Sequence, residues 1–342
     1  MTSDRAQLRH ALIGRLAQAR TPWTALHEAG VLGLRAPEAL GGLGLPFAEA
    51  EPVLDVLGEL CLGVPFLETS IVAAGLLARA ATPASEALLA RIAQDGVVVA
   101  VAGLEPTGVL TAVAEGEGWR LECVARIVVD AARAVALVVL ATTPDSRLDG
   151  FVVQADAEGL ALRPVPTIDG RMAADIAFVG VRVSQAARLG LSADAIDVVL
   201  DEAVAALCVE ASGLMRRLVS DTTAYVKGRE QFGQPLGAFQ VVQHRLVDMN
   251  IQARRASAIA RRALEAIDAD PAARGRAVSA AKVTVCRAGR FVGQNAVQLH
   301  GGMGMTEEMP IGRYFKRLTV IEAQLGGADH HLRRFAALAG AA

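Results

Sequence analysis

Cysteine is scarce and scattered: Cys61, Cys123, Cys208 and Cys286 are far apart in 342 residues, with no CxxC pair and no histidine spacing that would hold zinc. A zinc ribbon and a disulfide framework are thereby excluded, and free thiols in a reducing cytoplasm are expected. Charge bias is missing too. The 34 Lys and Arg stand against 36 Asp and Glu, net −2, without a long single-sign run, so neither nucleic acid nor an anionic membrane is expected as partner. The opening Met1-Thr2-Ser3-Asp4-Arg5 lacks a signal peptide's apolar stretch, and runs such as Val135 to Ala141 are too short to span a bilayer. A cytoplasmic protein is the expectation. Internal repeats and low-complexity linkers are likewise absent.

What is present is apolar. The chain is 53% hydrophobic, enough at this length for two or three packed domains. From about Arg5 to Gln94 apolar residues recur at helical spacing, as in Leu8, Leu12, Leu16 and Val53, Val56, Leu57, Leu60, and predict a helical domain over residues 1–96. The stretch from Leu34 to Gly44 breaks it with Pro37 and three glycines. Short β-branched runs such as Val97-Val98-Val99, Ile127-Val128-Val129, Phe151-Val152-Val153 and Ile176-Ala177-Phe178-Val179 predict a β domain over residues 97–193. Long Ala-rich and Arg-rich helical patterns return over residues 194–342, with Pro271 placed to open a helix. One helix is expected from about Asp201 to near Arg229, closed by the turn Phe232-Gly233-Gln234-Pro235, with the next starting near Phe239.

Two segments carry chemistry. In Arg229-Glu230-Gln231-Phe232-Gly233-Gln234-Pro235-Leu236-Gly237-Ala238-Phe239-Gln240, an Arg at a helix end either satisfies the last carbonyls or meets a pyrophosphate with a forked pair of donors. In Gln298-Leu299-His300-Gly301-Gly302-Met303-Gly304-Met305-Thr306-Glu307-Glu308, the glycines let a ligand approach the backbone. No strand precedes them, so the Rossmann fingerprint is not met. Together the two segments resemble the acyl-CoA dehydrogenase family, and so does the order helices, strands, helices. The resemblance implies an α+β fold with an N-terminal helical domain, a middle antiparallel β domain and a C-terminal four-helix bundle. It also implies FAD as cofactor, held by Arg229, Phe232, Gln240, Gln298, Gly301 and Gly302, the first three reaching the flavin nucleotide of a neighbouring subunit. It further implies an acyl-CoA substrate oxidised between its α and β carbons, an electron-transferring flavoprotein as acceptor and a homo- or heterotetramer.

Such a reaction needs a base for the α proton, and a carboxylate in a dry pocket has its pKa raised toward the working pH. Counting from Gly301-Gly302, the position where many relatives carry the catalytic Glu falls on Leu325, and the other position used in the family falls on Ala203. Glu322, one turn before Leu325, is the candidate catalytic residue, with Glu202 in reserve; for both, the ordinary alternative is a solvated acid on a helix. Where relatives show Glu-Pro-Gly-x-Gly-Ser-Asp and Trp-Ile-Thr, this chain has Glu105-Pro106-Thr107-Gly108 and Ile127-Val128-Val129. Tyr314-Phe315-Lys316-Arg317 and Asp329-His330-His331 look most like short subunits of the pimeloyl-CoA and steroid side-chain dehydrogenases. No metal is expected, because His330 and His331 are adjacent on a helix, point apart and read as a solvated pair. Three functions stand: a dehydrogenase with its own base, a non-catalytic partner subunit of a heteromer, and a flavin oxidase or monooxygenase on the same fold.

Overall fold

The computed structural model describes residues 3–104, 110–306 and 308–340. The Glu105-Pro106-Thr107-Gly108 segment and Glu307 lie outside the described residues. In chain order, α1 (Ser3–Ala17), α2 (Pro22–Glu28), α3 (Glu51–Glu59), a π-helical stretch at Phe66–Ala73, α4 (Ala74–Ala80) and α5 (Pro83–Asp95) come first. Strands follow: β1 (Val99–Ala102), β2 (Ala112–Glu115), β3 (Gly118–Val129), β4 (Ala136–Thr142), β5 (Leu148–Gln154), β6 (Leu160–Pro166) and β7 (Met172–Ser184). Then come α6 (Ala193–Gly228), the two-residue strands β8 (Glu230–Gln231) and β9 (Gln234–Pro235), α7 (Gln240–Glu265), α8 (Pro271–His300), α9 (Ile311–Ala323) and α10 (Ala328–Gly340). The expected order of helices, strands and helices is the order adopted.

Local chemistry sets several of these boundaries. Thr82 and Ser85 bond each other's backbone ahead of α5, with Pro83 in its first turn. At α8, Pro271 opens the helix as expected, and the Asp270 carboxylate accepts from the backbone N–H of Ala272 and Ala273 at 3.1 and 3.0 Å. Helix α6 starts at Ala193 rather than near Asp201. The Ser192 hydroxyl accepts the Ala195 N–H there at 3.1 Å and Asp194 sits in the first turn, a start signal upstream of the apolar run.

The chain forms two compact units, neither continuous in sequence: Met1–Ala17, Glu51–Gly63 and Val204–Ala342 make one, Gln18–Ala50 and Val64–Ala203 the other. In the second, the strands form a three-stranded sheet, β1-β4-β5, and a four-stranded sheet, β2-β3-β7-β6. Their alternate residues, among them Ala100, Leu121, Leu137, Val139, Phe151, Val153, Ile176 and Phe178, share one core. The expected antiparallel domain needs one amendment, since β1 and β4 run parallel. Between them the chain leaves to build β2 and β3, and such a crossover returns it in the same direction.

In the first unit α1 and α3 are tied by Arg9 to Asp55 (2.6 Å) and Arg5 to Glu51 (3.0 Å). α3 lies so close to α6 that a Cβ at Gly213 would fall 2.3 Å from the Asp55 carbonyl oxygen, so only glycine fits. Buried Arg317 on α9 donates to both Glu210 oxygens on α6, at 2.6 and 2.9 Å. The helical C-terminal bundle expected from the sequence is built from the long helices α6, α7 and α8 with α9 and α10, of thirteen residues each, beside them. Among the described residues no helix is long and apolar enough to cross a membrane.

Candidate functional site

The last turn of α6 and the last turn of α8 are joined by two aromatic rings. Tyr225 stacks on His300 with centroids 4.2 Å apart and planes 24° from parallel, and the Tyr225 hydroxyl donates to the His300 carbonyl at 3.4 Å. The Ala296 carbonyl, 2.8 Å from His300 Nδ1, can only accept, so that nitrogen carries the proton. The buried Nε2 has no partner among the described residues. Arg229 follows Tyr225 by one helical turn, its N–H bonded to the Tyr225 carbonyl at 2.9 Å, and Gly301 follows His300 directly. The stack therefore gathers the two segments singled out in the sequence.

Each segment faces outward. Arg229 is exposed, and its guanidinium has no partner among the described residues. Phe232 and Gly233 form the tip of the β8–β9 hairpin, both at positive φ, +56° and +80°, the pattern of a type I′ turn. Phe232 is 87% exposed and meets Phe239 edge to face, centroids 6.1 Å apart. Holding a bulky residue there costs roughly 1–2 kcal/mol, a cost that the edge contact with Phe239 offsets only in part. Gln240, the first residue of α7, and Gln298, near the end of α8, are exposed as well. Gly301 adopts φ 59°, ψ −139°, a region open essentially to glycine alone, and no heavy atom lies within 4 Å of where a Cβ would stand on Gly301 or Gly302. An open glycine turn, two exposed amides and an unpartnered guanidinium suit a phosphate-bearing ligand such as a dinucleotide.

The carboxylates are placed differently. Glu322 on α9 is ion-paired with Arg290 on α8 and lines a cleft of about 380 Å³ with Gly289, Gln294, Phe315, Leu318 and Gly327. Glu202, in the other unit, has a side chain only 2% exposed, held by Arg35 at 2.7 Å and Arg79 at 2.9 Å, so each oxygen already has a cationic donor. Ala203 is fully buried.

Leu325 sits in the turn between α9 and α10 at φ +54°. Fully buried Lys282 of α8 donates to the Ile321 and Gln324 carbonyls just before it, the latter at 2.8 Å, and His331 Nε2 reaches the Leu325 carbonyl at 3.0 Å. The expected solvated His330–His331 pair is corrected here. His330 is exposed, but His331 is buried, its pKa pushed down to about 4 chiefly by that burial, so it is neutral and its Nε2–H donates to Leu325. The two rings meet edge to face with centroids 5.0 Å apart, the outer one in solvent and the inner one under the turn.

Sequence reasoning passed over Tyr225, His300 and Lys282. Lys282 did leave a signal, since it falls on the apolar stripe of α8 with Val278, Val285 and Gly289, where a cation needs buried acceptors.

Two family models match the chain: acyl-CoA dehydrogenase, N-terminal domain, over residues 9–95, and acyl-CoA dehydrogenase, C-terminal domain, over residues 193–339. The chain is 31% identical to acyl-CoA dehydrogenase FadE27 of Mycobacterium tuberculosis, across 92% of this chain and 87% of that protein. Its fold matches the ChsE4-ChsE5 complex from the same organism with a TM-score of 0.91 at 28% identity, covering 100% of this chain and 98% of that one. It also matches the Tcur3481-Tcur3483 steroid ACAD with a TM-score of 0.89 at 32% identity, covering 99% and 97%. The chain belongs to the acyl-CoA dehydrogenase family, a family of FAD-using oxidoreductases.

Proposed function

We propose that the chain is one subunit of an oligomeric, FAD-dependent acyl-CoA dehydrogenase, and that its part in the α,β-dehydrogenation is to hold the cofactor. The observation that carries this reading is the Tyr225–His300 stack, which brings an unpartnered Arg229 beside the open Gly301-Gly302 turn. In this reading the Arg229 fork meets the pyrophosphate, Gln240 and Gln298 supply amide contacts, Gly301 and Gly302 offer backbone N–H groups, and Phe232 gains apolar cover. Bound FAD supplies the acceptor for the hydride that leaves the acyl β carbon. An electron-transferring flavoprotein fits as the onward acceptor.

The α proton needs a carboxylate, and here the favoured form of the reading is a chain whose base belongs to a partner subunit. Leu325 and Ala203 cannot take a proton, and Glu202 is locked between two arginines. Glu322 is the acid left to a self-sufficient enzyme, although Arg290 already neutralises it. The heteromeric ChsE4-ChsE5 likeness supports the partner form, and the steroid ACAD likeness suggests a polycyclic acyl group as substrate.

The visible absorption spectrum of the purified chain is the direct test. A flavin band lost on replacing Arg229 with Ala supports the site. Binding of FAD unaffected by that substitution and by Gln298→Ala would remove it. Glu322→Gln then decides the base: activity abolished with flavin retained assigns the base to this chain, and unchanged activity assigns it elsewhere.

A further inference from the structure

Four helices of the first unit border a cleft of about 370 Å³, lined by Arg9 of α1, Glu51 and Asp55 of α3, Arg216 of α6, and Ser257 and Arg261 of α7. None of these residues belongs to the two cofactor segments. Along α6, Arg216 precedes Arg229 by thirteen residues, which at the helical rise is about 20 Å.

The carboxylates of this cleft are already engaged. Both Asp55 oxygens accept from Arg216, at 2.8 and 2.7 Å, and Oδ2 accepts from Arg9 Nε as well, at 2.6 Å. Buried Glu51 accepts from Arg261 Nε at 3.3 Å on one oxygen and from Arg5 at 3.0 Å on the other. Glu59, one turn beyond Asp55, is shared by Arg9 and Arg216. The network thus sets the guanidinium groups of Arg5, Arg9, Arg216 and Arg261 against the carboxylates of Glu51, Asp55 and Glu59, and positive charge is in excess.

The capacity left over is for donation. Arg261 is tied to Glu51 through Nε, and its two terminal nitrogens have no partner among the described residues; neither has Nη1 of Arg9. Ser257, one turn before Arg261 on the same side of α7, lines the cleft with a hydroxyl that meets nothing among the described residues. Buried Val209 of α6 and Ala260 of α7 add apolar wall. A clamp whose sole task is to fasten helices needs neither surplus charge nor a cavity beside it.

Donors without acceptors, surplus positive charge and a partly apolar wall fit the carboxylate of a small organic acid, whose two oxygens match the planar fork of an arginine. We propose that this cleft is an accessory binding site for a small monocarboxylate. The free edge of Arg261 and the Ser257 hydroxyl take its oxygens, and its short apolar stem lies against Val209 and Ala260. A phosphate or a dicarboxylate fits less well, because it brings more negative charge than the unbalanced cation can neutralise. Such a ligand binds the folded chain alone and therefore stabilises it by mass action.

The test uses butyrate as probe on the purified chain. Binding is followed by saturation-transfer NMR, and urea midpoints are compared in butyrate and in sodium chloride at equal ionic strength. A dissociation constant of about 1 mM is expected for so small a ligand, with a higher midpoint in butyrate than in chloride. Arg261→Gln should weaken binding about tenfold and Ser257→Ala about threefold. Arg262→Gln removes an exposed neighbouring charge that is paired with Glu265, and should leave binding unchanged. Absence of butyrate binding overturns the proposal, as does binding that Arg261→Gln and Ser257→Ala leave intact, since the acid then sits elsewhere. Equal weakening by Arg262→Gln and Arg261→Gln also overturns it, because general charge would then be the cause. Inorganic phosphate that displaces butyrate at lower concentration overturns the carboxylate assignment. Should Arg261→Gln not fold, Ser257→Ala decides. Flavin is not part of the readout, so this inference can fail while the cofactor reading, tested by Arg229→Ala, stands.

Discussion

The rings of Tyr225 and His300 lie 4.2 Å apart, one at the end of α6 and the other at the end of α8, and every residue proposed to hold the cofactor lies on those two helix ends or on the hairpin and first turn of α7 that follow α6. Replacing Tyr225 with Ala removes a stack worth about 0.5–1.5 kcal/mol. The Arg229 turn then loses its register against Gly301, and affinity for FAD is expected to fall about tenfold, read by flavin fluorescence. Tyr225→Phe keeps the stack and gives up only the long bond to the His300 carbonyl, so it should bind nearly as the wild type does.

Phe232 is held at positive φ and exposed at a hairpin tip, an arrangement that favours a binding role over stability. Phe232→Asn, which tolerates the left-handed region but gives up the edge contact with Phe239, should stabilise the isolated chain by about 0.5 kcal/mol, seen as a slightly higher urea midpoint. The same substitution should weaken FAD binding.

Glu202 is the shared partner of Arg35 and Arg79. Glu202→Gln leaves both arginines without their buried counter-charge, and unfolding in urea should show a loss of about 3–5 kcal/mol. If Glu202 were instead a catalytic base, the substitution would abolish turnover and leave stability nearly unchanged.

His331 gives stability a pH slope. Its folded-state pKa is depressed to about 4 from the ordinary 6.5, so between those values the unfolded chain binds the extra proton. The contribution is complete above about pH 6.5 and is lost as pH falls toward 4, by at most about 3 kcal/mol. Urea midpoints measured across that window should fall with pH in the wild type. They should fall less steeply in His331→Gln, which keeps a donor for the Leu325 carbonyl and does not titrate.

Much of the fold was legible before any coordinates. The run Phe151-Val152-Val153 lies in β5 and Ile176-Ala177-Phe178-Val179 in β7, because β-branched runs bounded by glycine and proline have few other packings. Pro271 opens α8 as its missing N–H predicts. The start of α6 was misplaced toward Asp201 because periodicity reports where a helix is buried, whereas Ser192 and Asp194 begin it in solvent. The parallel β1–β4 pair was invisible for a related reason: strand direction follows from a crossover through another sheet, not from the strands' own residues.

The sequence by itself determined the order of elements, the glycine turn at Gly301, the turn at Phe232-Gly233 after the Arg229 helix end and membership of the family, because periodicity, turn chemistry and motif spacing are local properties. Only the tertiary structure decided what each polar group meets. It put Glu202 between Arg35 and Arg79, buried His331 while leaving His330 in solvent, set Lys282 under the Leu325 turn and stacked Tyr225 on His300. Those partners lie far apart in sequence or, for His330 and His331, are touching neighbours of unlike burial. A helical repeat says which face is buried but not which carbonyl or carboxylate waits there, and that pairing separates a usable base from a structural ion pair.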